Sequence, residues 1–302
     1  MKLTKELQNF KSLREISSIL EFMRIPGVGA ELFKEAILKF QNPIKMKTKI
    51  QEDRNFQKKI EKRKIGKNKN EDRGLIERTI NYLKDLPSNE SFTYFGAPDY
   101  PSRLISTSEP PPILFFKGNP ELLENQNSVA IVGSRHPSNR GITLSCEIAR
   151  SFARSGWLVV SGGANGIDTV VHETVLANRG FTAAVIGCGI DVKYPKENKF
   201  LYEKISRNGL ILTEFFPTTP PIASHFPTRN RIIASLADFV ILVEGTEKSG
   251  GIYTIKKAIK EGRPTFCLEG DGLLSGAKNF IQKTLKKVKI VKSLKEIFGK
   301  MS

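Results

Sequence analysis

Val129-Ala130-Ile131-Val132-Gly133-Ser134-Arg135 is the stretch of sequence that decides the fold. Four consecutive apolar residues followed by a glycine are typical of a buried strand that ends in a tight loop. Similar apolar runs follow, and they alternate with stretches of helical periodicity. They lie at 157–160, 182–186, 210–212, 239–243 and 264–268, and one at 113–116 precedes them. This alternation predicts a Rossmann-like, doubly wound α/β fold with a mostly parallel sheet.

Glycines follow four of the predicted strands. Because parallel strands all point the same way, the loops at their carboxyl ends are expected at one edge of the sheet. Glycine lets the backbone approach a ligand closely, and each following helix presents free N–H groups to an anion. The sequence therefore predicts an anion site built from loops that contain Gly133, Gly162-Gly163 with Gly166, Gly187 with Gly189, and Gly245 with Gly250-Gly251.

The phosphate-binding motifs of common cofactors are not matched by these loops. Gly133-Ser134-Arg135 lacks the second glycine of the dinucleotide fingerprint, and Gly187-Cys188-Gly189 lacks the third. Gly245 and Gly250 have the spacing of a Walker A loop, but Gly251-Ile252 follow where Lys and Ser or Thr are needed. We therefore expect neither NAD nor ATP as a catalytic cofactor.

Cations accompany the glycines. Arg135 follows the first strand, Arg229-Asn230-Arg231 is predicted to open a helix with Thr228 as its N-cap, and Lys248-Ser249 follows a later strand. Guanidinium groups suit bidentate phosphate contacts. Taken singly, each of these cations has an alternative role as a surface charge or an ion-pair partner.

Aromatic residues flank the loop before Arg229. Phe215-Phe216-Pro217 and Phe226-Pro227 are the two groups. Exposed rings of this kind stack on the bases of a single strand. The alternative is that the rings anchor the long loop to the core.

The chain divides into three parts. Residues 1–42 predict a small helical domain, of helix-hairpin-helix or SAM-like type, around Ile25-Pro26-Gly27-Val28-Gly29-Ala30, although an ordinary helical turn is the alternative. Residues 43–75 predict a basic linker, partly disordered or helical, since 45–73 hold 12 Lys and Arg against 5 Asp and Glu, a net charge of +7. Residues 76–302 predict the Rossmann-like domain with an N-terminal extension. The linker either attracts phosphates non-specifically or is solvated without a partner.

Bulk properties narrow the class of protein. The formal charge of +17 over 302 residues favours a polyanionic partner. No apolar run approaches the length of a membrane span, and the N-terminus lacks the apolar stretch of a secretion signal. The three scattered cysteines (Cys146, Cys188 and Cys267) indicate neither a disulfide framework nor a zinc site. We therefore expect a cytoplasmic protein with no bound metal.

Several ordered blocks make the chain resemble the DNA-processing protein A (DprA, also called Smf) family. The similarity runs from Asp99-Tyr100-Pro101 to about Ile281. Gly163, Asn165 and Glu269 depart from the usual family pattern. The matching blocks are 129–135, Ser161-Gly162 with Gly166-Ile167-Asp168, His172, 187–191 with Tyr194-Pro195, 226–233, and Val243-Glu244 with Lys248-Ser249-Gly250 and Thr254.

The resemblance implies a cytoplasmic, commonly homodimeric protein that binds single-stranded DNA and is not an enzyme. Such proteins protect incoming strands and help load the RecA-type recombinase during competence, natural transformation and recombination. Carried over by motif, Arg135, Arg231 and Lys248 would hold phosphates, and Asn230 would orient backbone or base groups. The implied DNA-binding residues are Gly133, Ser134, Arg135, Ser161, Gly162, Gly166, Arg229, Asn230, Arg231, Lys248, Ser249 and Gly250.

Two other classes of function compete with this interpretation. Nucleotide-processing Rossmann enzymes of the lysine-decarboxylase-like group share similar glycine loops, but their Pro-Gly-Gly-x-Gly-Thr motif is absent here. Asp168 is expected to stabilise the start of a helix, His172 to be packed, and His136 and His225 to lie in loops without an evident partner. No carboxylate pair or triad emerges from the sequence. The third class is a partner-binding scaffold whose binding site is vestigial. The presence of Arg135, Arg231 and Lys248 argues against such a scaffold.

Overall fold

A computed structural model describes residues 5–64, 74–124, 127–270 and 277–299. The chain forms two compact units. The first contains residues 1–100 and 108–114, and the second contains residues 101–107 and 115–302. Residues 76–100, which the sequence analysis grouped with the α/β domain, thus cluster with the helical unit.

The first unit is mainly helical. Its core is formed by large apolar side chains, among them Phe22, Phe33 and Phe56. The turn 25–30 joins its first two helices, with Gly27 in the left-handed region at φ 93°. Its elements are α1 (Lys5–Met23), α2 (Ala30–Phe40), α3 (Met46–Glu52), α4 (Arg54–Lys64), α5 (Leu75–Lys84) and β1 (Glu90–Tyr94).

Helices α3 and α4 occupy most of the segment predicted as a basic linker. Met46, Ile50, Phe56 and Ile60 are buried, so each of these helices has an apolar face that packs on the unit. The Asp53 carboxylate accepts hydrogen bonds from the backbone N–H groups of residues 55 and 56 at the start of α4. Residues 65–73, the remainder of that basic segment up to Arg73, lie outside the described residues.

The second unit is built on a twisted sheet with helices on both faces. Its helices are α6 (Ser102–Ile105), α7 (Asn139–Arg154), α8 (Ile167–Ala177), α9 (Lys199–Asn208), α10 (His225–Leu236), α11 (Gly250–Lys260), α12 (Ala277–Thr284) and α13 (Leu294–Gly299). Its strands are β2 (Ile113–Gly118), β3 (Ser128–Val132), β4 (Leu158–Ser161), β5 (Phe181–Val185), β6 (Leu210–Thr213), β7 (Phe239–Leu242), β8 (Thr265–Leu268) and β9 (Lys289–Val291).

From β2 onward, the strand order is β2-β6-β5-β4-β3-β7-β8-β9. Strand β2 is antiparallel to β6, and the other pairs are parallel. The prediction of a doubly wound, mostly parallel Rossmann-like sheet is therefore confirmed. The apolar runs form the strands because both faces are covered: Val129, Ile131, Phe239 and Ile241 lie in one buried cluster with the helix residue Phe152.

The order of the strands reverses direction at β3. From β3 the chain continues through β4, β5 and β6 on one side, and it returns to the other side of β3 with β7. The two loops that leave the carboxyl ends of β3 and β7 diverge, which opens a crevice between them. In open α/β sheets ligands bind at such a switch point.

Across the described ranges, no helix is both long enough and apolar enough to cross a membrane.

Candidate functional site

A cleft of about 660 Å³ lies at the switch point of the second unit. Its walls are the loop after β3, the first turns of α10, and the loop that joins β7 to α11. Eight of the twelve predicted site residues line it: Gly133, Ser134, Arg135, Arg229, Asn230, Lys248, Ser249 and Gly250. The fold thus brings together two loops and a helix start that are far apart in the sequence.

The loop after β3 is held against the start of α8. The Ile167 N–H donates a hydrogen bond to the Ser134 carbonyl at 3.0 Å. Gly166 has φ 83°, and a Cβ atom at this position would lie 2.4 Å from the Ser134 carbonyl oxygen. Gly166 does not line the cleft itself, but its lack of a side chain is needed for the loop that presents Ser134 and Arg135.

Arg135 and Lys248 are the exposed cations of the cleft. They stand on loops that follow different strands, β3 and β7. The Arg135 guanidinium lies over the Phe226 ring, 5.4 Å from its centroid, which is a cation–π arrangement. Both cations are accessible to an anion that enters the cleft from solvent.

The amino end of α11 also opens into the cleft. Ser249 precedes this helix, and Gly250 begins it. The Ser249 hydroxyl is buried and has no hydrogen-bond partner among the described residues. The backbone N–H groups at the start of this helix offer donors to a phosphate.

Arg229 lines the cleft but is only 4% exposed. Its Nη1 donates hydrogen bonds to the carbonyls of Gly162, at 2.5 Å, and of Val185. The guanidinium therefore ties together the loops that follow β4 and β5. Burial lowers the pKa of Arg229, and the Asp168 carboxylate opposes this shift.

Asp168 lines the cleft as well, on the first turn of α8. It accepts a hydrogen bond from the Ala164 N–H at 3.2 Å. Burial raises the pKa of this carboxyl, while the charge of Arg229 and the hydrogen bonds to the loop before α8 act in the opposite direction. Asp168 was predicted to have a structural role at the helix start, and its position also places it at the cleft.

Asn230 links two walls of the cleft. Its side-chain amide donates a hydrogen bond to the Gly250 carbonyl at 3.1 Å, and its Oδ1 accepts one from Arg229 Nε at 3.1 Å. Asn230 is thereby fixed between α10 and the first residue of α11. In this arrangement it orients protein groups around the cleft.

Arg231 does not lie in the cleft. It is 5% exposed and forms a bidentate ion pair with Glu214, in which the Nη2–Oε2 distance is 2.6 Å. The assignment of a phosphate to Arg231 is corrected here, because its guanidinium is turned into the protein and its charge is compensated. Two residues along a helix are about 200° apart, so Arg229 and Arg231 cannot share a face.

The start of α10 also differs from the prediction. The helix begins at His225, so Arg229 lies in its second turn, and the Thr228 hydroxyl donates to the Ser224 carbonyl at 3.0 Å instead of capping the helix. Pro227 is compatible with this start because the first turn of a helix does not use its N–H groups. The prediction that the helix begins near Arg229 was wrong, because a proline such as Pro227 occurs both in loops and in the first turn of a helix.

Two further predicted site residues lie beneath the cleft. Ser161 is fully buried, and its hydroxyl donates to the Ile131 carbonyl at 2.7 Å. Gly162 packs against Asp168 and Arg229, where a Cβ atom would come within 3.0 Å of both side chains. Both residues support the loop architecture.

The sequence left two roles open for the aromatic residues, which were stacking on bases and anchoring the loop. The structure contains rings in positions suited to each role. Phe226 lines the cleft beside Tyr194, with their ring centroids 5.6 Å apart. Phe216 packs on Phe115 at 6.3 Å, and Phe215 stacks on His225 at 4.0 Å. Phe226 is thus placed to contact a ligand, whereas Phe215 and Phe216 anchor the loop. His225, expected in a loop without a partner, is the first residue of α10 and contacts Phe215.

Neither the position of Tyr194 at the cleft nor the role of Glu244 was predicted from the sequence. The Glu244 carboxylate accepts hydrogen bonds from both the backbone N–H and the hydroxyl of Ser138, which caps α7. Glu244 immediately follows the apolar run of β7, a position that signals a residue at the carboxyl edge of the sheet. Its partner Ser138 is 106 residues away and could not be identified from the sequence.

The sequence profile of the DNA recombination-mediator protein A family matches residues 91–302. The chain belongs to this family. DNA processing protein DprA from Streptococcus pneumoniae is 43% identical over 192 residues, which are 63% of this chain and 67% of that protein. DNA processing protein DprA from Bacillus subtilis is 39% identical over 171 residues, which are 57% of this chain and 58% of that protein.

Solved structures of DNA recombination-mediator relatives show the same fold. The structure of DprA from Streptococcus pneumoniae matches 99% of this chain and 98% of its own, with 31% identity and a TM-score of 0.66. The structure of DNA processing protein A from Helicobacter pylori, described for its single-stranded DNA binding mode, matches 70% of this chain and 95% of its own. Its identity is 29% and its TM-score 0.63.

Proposed function

We propose that this protein binds single-stranded DNA in the cleft at the switch point. The observation that carries the proposal is the convergence of Arg135, Lys248 and Phe226 on one open cleft from separate parts of the chain. Two exposed cations and a helix start suit phosphates, and an accessible ring suits an unpaired base. A relative described for its single-stranded DNA binding supports the same assignment.

Membership in the recombination-mediator family supports a role in DNA uptake and recombination. In this role the protein protects incoming single strands and passes them to a RecA-type recombinase. We extend the proposal to a homodimer, as the resemblance implies. Light scattering of the purified chain with and without an oligonucleotide tests the dimer, and a strand-exchange assay with a recombinase tests the hand-over.

The function of the cleft is tested by titrating oligo-dT and a duplex of equal length against the wild-type chain and two variants. Arg135→Ala and Lys248→Ala each remove one phosphate contact, so the slope of log K against log salt becomes shallower by about 0.7 for each variant with the single strand. Lys204→Ala, an exposed cation on α9, is the matched control and leaves the affinity unchanged. Unchanged binding in both cleft variants would move the site elsewhere.

The competing enzyme class receives less support from the site. Asp168 is the only carboxylate among the described residues that line the cleft, and it is engaged by the Ala164 N–H. Glycosidic cleavage with acid–base assistance needs a second group in reach of the reacting bond. We therefore propose a binding protein, not an enzyme. Release of free base from nucleoside monophosphates, abolished in Asp168→Asn, is the result that would favour the enzyme.

A further inference from the structure

Helix α4 of the first unit carries a strong positive charge that the cleft does not use. Its eleven residues include Arg54, Lys58, Lys59, Lys62, Arg63 and Lys64 against a single acid, Glu61. Phe56 and Ile60 are buried, at 1% and 5% exposure, which fixes the inner face of the helix. The orientation of the charged residues follows from these two positions.

One flank of α4 is neutralised by helix α2. Lys59 pairs with Glu35, and Arg63 pairs with Glu31 at 3.1 Å. The carboxylate of Asp53, which precedes α4, pairs with Lys39 of α2. The acidic residues of α2 therefore neutralise the flank of α4 that faces them.

The outer face of α4 keeps a net positive charge, because three cations lie there against the single acid Glu61, three residues after Lys58. Arg54, Lys58 and Lys62 lie four residues apart on the side opposite Phe56, and all three are exposed. Successive members are about 6 Å apart along the helix axis. Among the residues that the structure describes, none of the three forms an ion pair. We call these three residues the cationic stripe.

The cationic stripe lowers the stability of helix α4 in the free protein. Like charges four residues apart destabilise a helix by about 0.2–0.5 kcal/mol per pair. A groove of about 400 Å³, lined by Glu35, Lys39, Asn55, Phe56, Lys58, Lys59 and Lys62, runs beside the stripe and extends the basic surface. An arrangement that is unfavourable in isolation and open to solvent is suited to an external polyanion.

We propose that the cationic stripe is a second nucleic-acid-binding surface, which holds the phosphate backbone of duplex DNA. The stripe presents charge without an aromatic ring, since Phe56 lies on the opposite, buried side of the helix. A surface that acts through charge alone favours the polymer with the higher charge density, and a duplex carries one charge per about 1.7 Å of axis. Base-specific contacts are not expected. Lys58 and Lys62 carry point charges on flexible side chains, and Arg54 contributes a single guanidinium. This proposal is independent of the function assigned to the cleft.

The full chain with Arg54→Gln, Lys58→Gln and Lys62→Gln combined tests the proposal. Glutamine keeps the helix propensity of lysine and arginine, so α4 remains folded. We expect duplex affinity at low salt to fall by about tenfold, and the salt slope for duplex to become shallower by about 2 to 3, because three phosphate contacts are lost. Binding of oligo-dT is expected to stay within about twofold, which separates this result from a failure of the cleft.

The matched control removes the same charge from the second unit. Arg154→Gln, Lys204→Gln and Arg207→Gln are three exposed cations outside the cleft, and this variant keeps the duplex affinity of the wild type. A charge-preserving variant, Arg54→Lys with Lys58→Arg and Lys62→Arg, also retains it. Equal losses in the stripe and control variants, or an unchanged duplex slope in the stripe variant, would overturn the proposal.

Discussion

The three arginines of the candidate site have three different roles. Arg135 is exposed in the cleft, Arg229 is buried and ties two loops together, and Arg231 is paired with Glu214. Only the first is exposed and can meet a ligand without breaking a hydrogen bond or an ion pair among the described residues. Substitutions at the three positions should therefore separate loss of binding from loss of stability.

Arg231→Ala is expected to lower the free energy of unfolding by about 3 kcal/mol, the low end of the range for breaking a buried ion pair, because it leaves the largely buried Glu214 carboxylate without its partner. Urea denaturation followed by circular dichroism measures this change. The double variant Arg231→Met with Glu214→Leu is the control, and it should recover much of the loss because it removes both charges. A single variant as stable as the wild type, but defective in DNA binding, would restore Arg231 to the binding surface.

His172 gives the fold a pH dependence. Its Nδ1 lies 2.7 Å from the Thr182 hydroxyl, which itself donates to the Val159 carbonyl, so Nδ1 carries the proton. Nε2 is buried without a partner among the described residues, and burial lowers the pKa of His172 to about 3. In the unfolded chain the imidazole binds a proton near its ordinary pKa. In the folded protein it is still neutral at that pH.

Because the folded pKa lies below the unfolded value of about 6.5, the unfolded state binds the extra proton and stability is lost as pH falls. Between about pH 6 and pH 4 this residue should contribute a loss of up to about 1.4 kcal/mol per pH unit. Denaturation of the wild type and of His172→Gln across this range measures the contribution. Parallel pH profiles for the two proteins would show that His172 is not responsible.

At the scale of elements, the loop after β3 depends on a glycine in the next loop. Gly166 precedes α8 at φ 83° and ψ −127° and faces the Ser134 carbonyl. That backbone conformation is essentially restricted to glycine. The loop that presents Arg135 is thus shaped by a residue 31 positions later in the chain.

Gly166→Ala is expected to cost at least about 1–3 kcal/mol of stability through backbone strain, and to displace the loop that holds Ser134. Gly250→Ala is the matched control, since a Cβ atom there meets nothing within 4 Å and the residue begins α11. Thermal unfolding of both variants measures the difference. A Gly166→Ala protein as stable as the control would contradict the strain argument.

Sequence patterns predicted β2 to β8 closely because a doubly covered sheet needs continuous apolar runs, and each run was bounded by a glycine or a polar residue. Strands β1 and β9 were not predicted, because β1 mixes polar and apolar residues and β9 is only three residues long. The start of α10 was not predictable in this way, since Pro227 is acceptable both in a loop and in a first helical turn. The pairing of Arg231 with Glu214 was also hidden. Glu214 follows β6, and nothing in a linear pattern indicates which side chain an arginine 17 residues later will meet.

At the scale of the whole molecule, the charge of +17 is divided between surfaces of different chemistry. The cleft combines Arg135 and Lys248 with the ring of Phe226, whereas the cationic stripe on α4 offers charge alone. Stacking on a ring is far less sensitive to salt than counterion release. The two surfaces should therefore respond differently to ionic strength.

Raising the salt concentration from about 50 to 200 mM is expected to weaken duplex binding more steeply than oligo-dT binding, and the preference for the single strand should grow. Parallel fluorescence-anisotropy titrations at four salt concentrations measure both slopes. Phe226→Leu is the informative variant, because it removes the ring but no charge and should weaken oligo-dT binding while its salt slope stays the same. Identical slopes for the two polymers in the wild type would contradict the division of roles.

The cation–π contact between Arg135 and Phe226 has a consequence for the energy that base stacking can add. In the free protein the ring is already covered by a guanidinium 5.4 Å from its centroid. An incoming base must displace that group before it can stack, and the released guanidinium then becomes available to the neighbouring phosphate. Stacking therefore replaces a contact worth about 0.5–1 kcal/mol that the free protein already has, so Phe226→Leu should weaken oligo-dT binding by less than the full stacking energy of one base, about 1–3 kcal/mol.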